Sequence, residues 1–148
     1  MTRPIRRIVL LETRPPDIHI FRKFALPRLG VVLLGTILRD LGYEVQVMVE
    51  EVKEFDFDAI AQADLVGISV ITATAGRSYT IADQLRENDI PVVMGGAHVT
   101  HQSEDALAHS DYVVRGEGEL ALPALLEALQ QGGDLSEVPN LTWMNDGK

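Results

Sequence analysis

Short apolar runs, separated by polar segments rich in glycine and proline, dominate the hydrophobic pattern of this 148-residue chain. Nearly every position is apolar in residues 7–11, 65–70, 91–94 and 112–114. Such runs are typical of strands that are buried on both faces of a parallel sheet. Residues 44–49 alternate polar and apolar instead, so we expect that strand to lie at an edge of the sheet. The pattern therefore predicts five strands.

Helical spacing of apolar residues fills the intervals between these strands. Leu29, Leu33, Ile37 and Leu41 recur at helical spacing up to a natural stop at Gly42. Further helices are predicted over 75–88 and 120–131, with short ones at 58–63 and 103–106. A strand–helix order repeated five times predicts a parallel α/β sheet with helices on both faces and right-handed crossovers.

Unusual segments follow four of the predicted strands. They are a long loop from Glu12 to Leu26, and residues 69–74, 95–103 and 115–119. The carboxyl ends of parallel strands share one edge of the sheet, and ligands bind beyond that edge. The coincidence of four such segments predicts a binding site there.

The pair Gly95-Gly96 allows two interpretations. Residues without a side chain let the backbone adopt a positive φ angle and form a tight strand-to-helix turn. They also let a bulky ligand lie against the main chain. The pair alone does not decide between them.

Hydroxyl groups accompany these glycines. Ser69, Thr72 and Thr74 offer donors and acceptors to amide, phosphate or hydroxyl groups of a large ligand. Thr72 and Thr74 are equally well explained as helix caps. The sequence therefore predicts a polar contribution from this segment without fixing its partner.

Two groups of ionisable residues allow weaker hypotheses. His98, His101 and Glu104 have the spacing of one helical turn, but a glycine-rich loop precedes them and no further ligand group is evident, so no metal site is predicted. Glu117 and Glu119 are expected to cap the last helix at its positive end. No nucleophile with a matching base can be assembled, so no catalytic residue is predicted.

Composition narrows the class of protein. The chain has no cysteine, which excludes disulfides and a thiolate-bound cluster held by this chain alone. A net charge of −9 argues against nucleic acid as a partner. The longest apolar run, 29–38, is too short to cross a membrane, so we expect a cytoplasmic protein.

Three glycine-containing motifs end strands of the predicted sheet: Gly67-Ile68-Ser69, Gly95-Gly96-Ala97-His98-Val99-Thr100 and Arg115-Gly116-Glu117-Gly118-Glu119. Together they resemble the cobalamin (vitamin B12)-binding domain at the N-terminus of B12-dependent radical SAM enzymes. Pro27-Arg28-Leu29-Gly30 and Leu41-Gly42-Tyr43-Glu44-Val45 are similar to the family's first helix and second strand. The resemblance covers roughly residues 5 to 145.

This resemblance implies a flavodoxin-like (Rossmann-like) fold with five parallel strands in the order 2-1-3-4-5. Residues 1–135 would form the cobalamin-binding domain, and 136–148 a linker or the start of a radical SAM domain. That absent domain would hold S-adenosylmethionine and the 4Fe-4S cluster of a methyltransferase or cyclase, while this chain would not be catalytic by itself. Ser69 would match the serine near the dimethylbenzimidazole. The implied cobalamin-binding residues are Leu29, Gly30, Ser69, Val70, Thr72, Thr74, Gly95, Gly96, His98, Thr100, Gly116, Glu117 and Gly118.

The sequence departs from one motif of related cobalamin domains, Asp-x-His-x-x-Gly, whose histidine binds cobalt. With the motif's glycine placed at Gly30, Pro27 stands in the histidine position and Ala25 in the aspartate position. An Asp-x-His pair that includes His19 lies eight residues upstream and lacks the glycine. We therefore expect cobalamin with its benzimidazole displaced from cobalt and no protein histidine in its place.

Two further expectations concern cobalamin binding, and two alternative functions are weighed against it. Gly96→Val should abolish binding and leave the melting temperature within a few degrees, and the isolated chain should bind cobalamin only weakly. The alternative is a domain of the same fold that binds no cobalamin and serves as a structural module. A phosphorylation receiver would need an aspartate at the end of the third strand, where Ser69-Val70 stand.

Overall fold

A six-stranded sheet forms the centre of the molecule in the computed structural model, which describes residues 4–16 and 29–144. Its strand order is β2-β1-β3-β4-β5-β6. The first five strands are parallel, and β6 pairs antiparallel with β5. The strands are β1 (Arg7–Glu12), β2 (Glu44–Val49), β3 (Leu65–Ser69), β4 (Val92–Gly95), β5 (Tyr112–Val114) and β6 (Leu141–Trp143).

Helices connect the strands and cover both faces of the sheet. They are α1 (Leu29–Asp40), α2 (Phe57–Ile60), α3 (Ala75–Glu87), α4 (Ala97–His101), α5 (Ser103–Leu107) and α6 (Gly118–Gln131), with single 3₁₀ turns at Thr72–Thr74 and Leu135–Glu137. No helix among the described residues is both long enough and apolar enough to cross a membrane.

The alternating side chains of the strands build one apolar layer on each face. Val9 and Leu11 of β1 belong to the layer that packs against α2, α3, α4 and α5. Ile8 and Leu10 point to the other face and belong to the layer that includes α1 and α6. Burying a large aliphatic side chain contributes roughly 1.5–3 kcal/mol, so the two layers together fix the fold.

The sequence predictions for the first five strands, for their order and for β2 as an edge strand are confirmed. The count of five strands was one short, because Leu141–Trp143 adds β6 beyond β5. This strand lies in the 136–148 segment that was expected to be a linker or the start of a radical SAM domain, and Val138 and Leu141 are buried in the α1/α6 layer. A second difference is α4, a five-residue helix in a segment expected to be loop. Ala25, Pro27 and His19 lie outside the described residues.

Candidate cofactor-binding site

A cavity of about 270 Å³ opens at the carboxyl ends of the parallel strands, on the face that α1 and α6 cover. Apolar side chains and glycine backbone dominate its wall, so it suits a flat, largely apolar group better than a charged one. The lining residues are Leu10, Gly30, Val31, Leu34, Gly67, Ile68, Ser69, Val93, Met94, Gly95, Gly96, Val114, Gly116, Glu117, Gly118, Glu119 and Leu122.

Three lining glycines leave space that any other residue would fill. Among the described residues, a Cβ atom built on Gly30 or Gly116 would meet no atom within 4 Å. On Gly95 the nearest such atom would be the Val114 carbonyl oxygen, at an ordinary contact distance of 3.8 Å. The absence of side chains at Gly30 and Gly95 is therefore not required by the fold and keeps room for a ligand, whereas the φ angle of 70° at Gly116 itself favours glycine.

Gly96 has a different role. Its φ angle is 107°, and a Cβ atom would lie 2.6 Å from the carbonyl oxygen of Val70. The Val70 amide donates to Gly95 O at 2.8 Å, and Val70 O accepts from the His98 amide at 3.2 Å. Gly96 is thus required by the turn itself. The expectation that Gly96→Val would leave stability nearly unchanged is wrong, because the added bulk meets backbone.

The Thr100 hydroxyl joins the two glycine loops at the mouth of the cavity. It donates to Gly96 O at 2.9 Å and accepts from the Gly116 amide at 2.9 Å. We call this pair of hydrogen bonds the Thr100 bridge. The bridge fixes the distance between the loop after β4 and the loop after β5, so Thr100 shapes the site without lining it.

The residues after β3 divide between the cavity and the interior. Ser69 lines the cavity, whereas Val70 is fully buried in the opposite layer. Thr74 is also buried, and its Oγ1 donates to Ile71 O and accepts from the Ile71 amide, both at 3.1 Å. Thr72 Oγ1 lies 3.2 Å from His98 Nδ1. Thr74 thus stands at the N-cap position of α3 but makes no side-chain capping hydrogen bond to that helix; its hydroxyl closes the preceding 3₁₀ turn instead. Thr72 contacts His98.

His98 faces α3 and is not part of the cavity wall. Its Nε2 atom is buried and has no hydrogen-bond partner among the described residues. Its ring lies 6.2 Å from that of Tyr79, which stacks on His109 at 4.4 Å. Burial raises the pKa of Tyr79 to about 12, and the negative charge of Asp105 adds to the effect. His98 thus belongs to an aromatic cluster between α3 and α4.

The glutamates after β5 do not act as the sequence predicted. Glu117 occupies the N-cap position of α6, yet its side chain makes no capping hydrogen bond. Glu119 lies in the first turn of α6 and lines the cavity, and its Oε2 atom is buried without a hydrogen-bond partner in residues 4–16 and 29–144. Sequence reasoning assigned Glu119 to the helix dipole and missed its place in the wall.

Seven of the thirteen candidate residues line the cavity: Gly30, Ser69, Gly95, Gly96, Gly116, Glu117 and Gly118. Leu29, at the start of α1, is 75% exposed and lies outside the wall. Val70, Thr72, Thr74, His98 and Thr100 lie behind or beside the wall as described above. Within the described part of the chain, no three histidine, aspartate or glutamate side chains are grouped as a metal site.

A buried ion pair holds the segment after β1 at the same edge of the sheet. The Glu50 side chain is 0% exposed and accepts hydrogen bonds from Arg77 Nε and from the Arg14 amide at 2.9 Å. Burial opposes ionisation of this carboxyl, but the hydrogen bonds from Arg77 and Arg14 prevail and lower the pKa of Glu50. Thr13 Oγ1 lies 2.8 Å from Ser78 Oγ, so residues 13–14 are tied to α3.

A flavodoxin-like sheet whose strand ends carry a glycine-lined apolar cavity defines a cofactor-binding α/β domain. Comparison with known families makes the assignment specific. A family model for the B12 binding domain matches residues 20–126, which is most of the chain. The chain belongs to the B12-binding domain family.

The similar curated proteins are much longer than this chain. An uncharacterized methyltransferase of Pyrococcus horikoshii is 34% identical over 134 residues, which cover 82% of this chain and 29% of that protein. The anaerobic magnesium-protoporphyrin IX monomethyl ester cyclase of Synechocystis sp. is 29% identical over 95% of this chain and 31% of its own length. The chain thus spans less than a third of these relatives.

Solved structures show the same fold. The radical S-adenosylmethionine methyltransferase TsrM from Kitasatospora setae, with cobalamin and a 4Fe-4S cluster bound, has a TM-score of 0.75 at 24% identity, over 96% of this chain and 29% of that chain. The cobalamin-dependent S-adenosylmethionine radical enzyme OxsB with aqua-cobalamin bound has a TM-score of 0.74 at 20% identity, over 97% and 22%. At these identities the likeness concerns the fold.

Proposed function

We propose that this domain binds cobalamin with the nucleotide tail in the cavity between α1 and α6. It would serve as the cobalamin module of a B12-dependent radical SAM enzyme of the methyltransferase or cyclase class. The observation that supports this most directly is the apolar, glycine-lined cavity at the carboxyl ends of β1, β3, β4 and β5. Membership of the B12-binding domain family points to the same ligand.

The size of the cavity fits part of this cofactor. Its volume of about 270 Å³ lies just below the lower end, roughly 300 Å³, of cavities that enclose whole small-molecule ligands. It therefore suits the bicyclic base of the tail and not the corrin ring. The ring is then expected outside the cavity, over the strand ends.

The chain's own groups bind and orient the tail in this proposal. Gly30, Gly95 and Gly116 keep the cavity open to the base, and Leu34 and Leu122 provide apolar contact. Ser69 supplies a hydroxyl at the end of β3. When bound, cobalamin supplies a cobalt centre that can carry a methyl group or an electron. The domain itself would hold the cofactor and shield its tail from water.

The chemistry on the other side of the corrin would come from a radical SAM domain that follows this one. The Cys-x3-Cys-x2-Cys motif that holds the cluster in such domains is not in this chain, which has no cysteine. Two relatives support the two reaction classes. One is the bacteriochlorophyllide d C-8(2)-methyltransferase of Chlorobaculum tepidum, which is 42% identical over 64 residues that form 14% of its length, and the other is the Synechocystis cyclase.

Cobalamin binding is tested directly by mixing the chain with hydroxocobalamin, separating it on a gel-filtration column and recording the visible spectrum of the protein fractions. We expect corrinoid absorption to elute with the protein. A matched Gly95→Val variant, shown to be folded by its melting temperature, places bulk in the cavity and should elute without it. A colourless wild-type fraction would favour the alternative, a domain that keeps the fold as a structural module.

A further inference from the structure

Glu119 presents an unpaired acceptor inside an otherwise apolar cavity. Its Oε2 atom is buried and makes no hydrogen bond to the described residues, although buried polar atoms are nearly always hydrogen-bonded. Val31, Leu34 and Leu122 of the wall are apolar and offer no donor, and the Ser69 hydroxyl in the same wall is not hydrogen-bonded to Oε2. A carboxylate in this position is unfavourable unless something that enters the cavity pairs with it.

The ligand proposed for this cavity carries one matching group. When the benzimidazole of cobalamin is displaced from cobalt, its ring nitrogen has a free lone pair and is itself an acceptor. A carboxylate oxygen and such a nitrogen can pair only if one proton lies between them. That proton would come from solvent, and its uptake would accompany binding.

We propose that Glu119 binds the free ring nitrogen of the displaced base through one shared proton, and so selects the form of cobalamin whose base has left the cobalt. This inference rests on the proposed function and adds a specificity-determining residue to it. It also accounts for a buried carboxylate oxygen in the wall of a cavity that is lined mainly by glycine and apolar residues.

Few other ionisable groups lie on the elements around Glu119. Glu117 is the other ionisable residue of the described wall, and it is exposed. On the neighbouring elements, α1 carries charge only at Arg39 and Asp40 at its far end, and β5 begins with Tyr112. Arg115, after β5, is exposed. Glu12, buried at the end of β1, does not line the cavity.

The experiment compares hydroxocobalamin with dicyanocobinamide, which lacks the nucleotide base, by isothermal titration. We expect Glu119→Ala to weaken cobalamin binding by about tenfold or more and to change cobinamide binding less than about twofold. Titrations in buffers of different ionisation enthalpy should show about one proton taken up by the wild type with cobalamin and none with cobinamide. Glu119→Gln, which can donate from its amide, should bind cobalamin without proton uptake.

Glu127→Gln, the same change on an exposed position of α6, is the matched control and should behave as the wild type. If both ligands lose affinity equally in Glu119→Ala, or if Glu119→Gln takes up a proton as the wild type does, the role of Glu119 is refuted and cobalamin binding stands. If the wild type binds neither corrinoid, the proposed function itself fails. Glu119→Gln keeps the shape of the side chain, so the test does not depend on the folding of the alanine variant.

Discussion

Substituting Gly95 by alanine separates the space kept for a ligand from the space needed by the fold. Gly95 ends β4 in a backbone conformation open to any residue, and the new methyl group would have one neighbour within 4 Å, Val114 O at 3.8 Å. Replacing glycine by alanine without strain stabilises a protein by about 0.4–1 kcal/mol through the unfolded chain. At this chain length the melting temperature should rise by about 1–4 °C.

The same methyl group should weaken cobalamin binding. A methyl group is about as large as a water molecule, whose share of liquid volume is roughly 30 Å³, so it takes about a tenth of the 270 Å³ cavity. Extra bulk in a filled site costs typically 1–3 kcal/mol. The dissociation constant should therefore rise by roughly 5- to 150-fold.

Gly96→Ala is the matched control, one residue further along the chain. Its φ of 107° and the Val70 carbonyl oxygen at 2.6 Å predict a loss of stability of roughly 1–3 kcal/mol before any ligand is considered. Thermal unfolding followed by circular dichroism, together with isothermal titration with hydroxocobalamin, measures both effects. The reasoning is refuted if Gly95→Ala binds as tightly as the wild type, or if it loses as much stability as Gly96→Ala.

Four other predictions concern the site and the residues that support it. The cob(II)alamin complex should show no nitrogen hyperfine splitting from a protein histidine in electron paramagnetic resonance, and a splitting that disappears in His19→Ala would contradict the absence of a histidine ligand. Arg77→Met removes the charged partner that donates side-chain hydrogen bonds to the buried Glu50 and leaves the bond from the Arg14 amide. It should cost roughly 2–3 kcal/mol in urea unfolding, whereas an equal change at the exposed Arg39 should cost little. The pKa of Glu50 is lowered from 4.5 in the folded protein, so the ionised carboxylate stabilises the fold above that pH, and the stabilisation is lost as the pH falls below it. Glu50→Gln should therefore make the free energy of unfolding less dependent on pH on the acid side. An unchanged pH dependence there would show that Glu50 does not cause the loss of stability in acid. Thr100→Val should leave the melting temperature within a few degrees but weaken cobalamin binding several-fold, because the Gly96 and Gly116 loops lose the hydroxyl that connects them. Thr100→Ser keeps that hydroxyl and is the control. If the two variants bind cobalamin equally well, the Thr100 bridge does not shape the site.

The strands were predictable because each buried strand is a continuous apolar run. Their order was implied by the resemblance to cobalamin-binding domains, and the alternation of β2 agreed with an edge position. Strand β6 was not, because three residues, Leu141–Trp143, carry too little pattern to stand out from a loop. Helix α4 was missed for the same reason, since its five residues begin directly after Gly96.

The site was predictable only as far as local sequence determines it. The glycines marked the correct edge of the sheet. Gly95 has room for a side chain and Gly96 does not, because the Val70 carbonyl oxygen lies beside Gly96, and no local sequence pattern reveals that position. Local sequence does not distinguish the roles of Thr74 and Thr100, yet the Thr74 hydroxyl closes a turn and the Thr100 hydroxyl joins two loops. The burial of Glu119 depends on how α6 packs beside α1, and that is a property of the assembled fold.

Strand β6 also determines where this domain can be cut. Its pairing with β5 saturates a backbone edge that would otherwise face solvent, with Tyr112 opposite Trp143 and Val114 opposite Leu141. A chain shortened to residue 135 would leave that edge open and remove Val138 and Leu141 from the apolar layer under α6. Unpaired edges of this kind recruit strands from other molecules. Truncation before residue 143 should therefore make the domain self-associate more readily than the full chain.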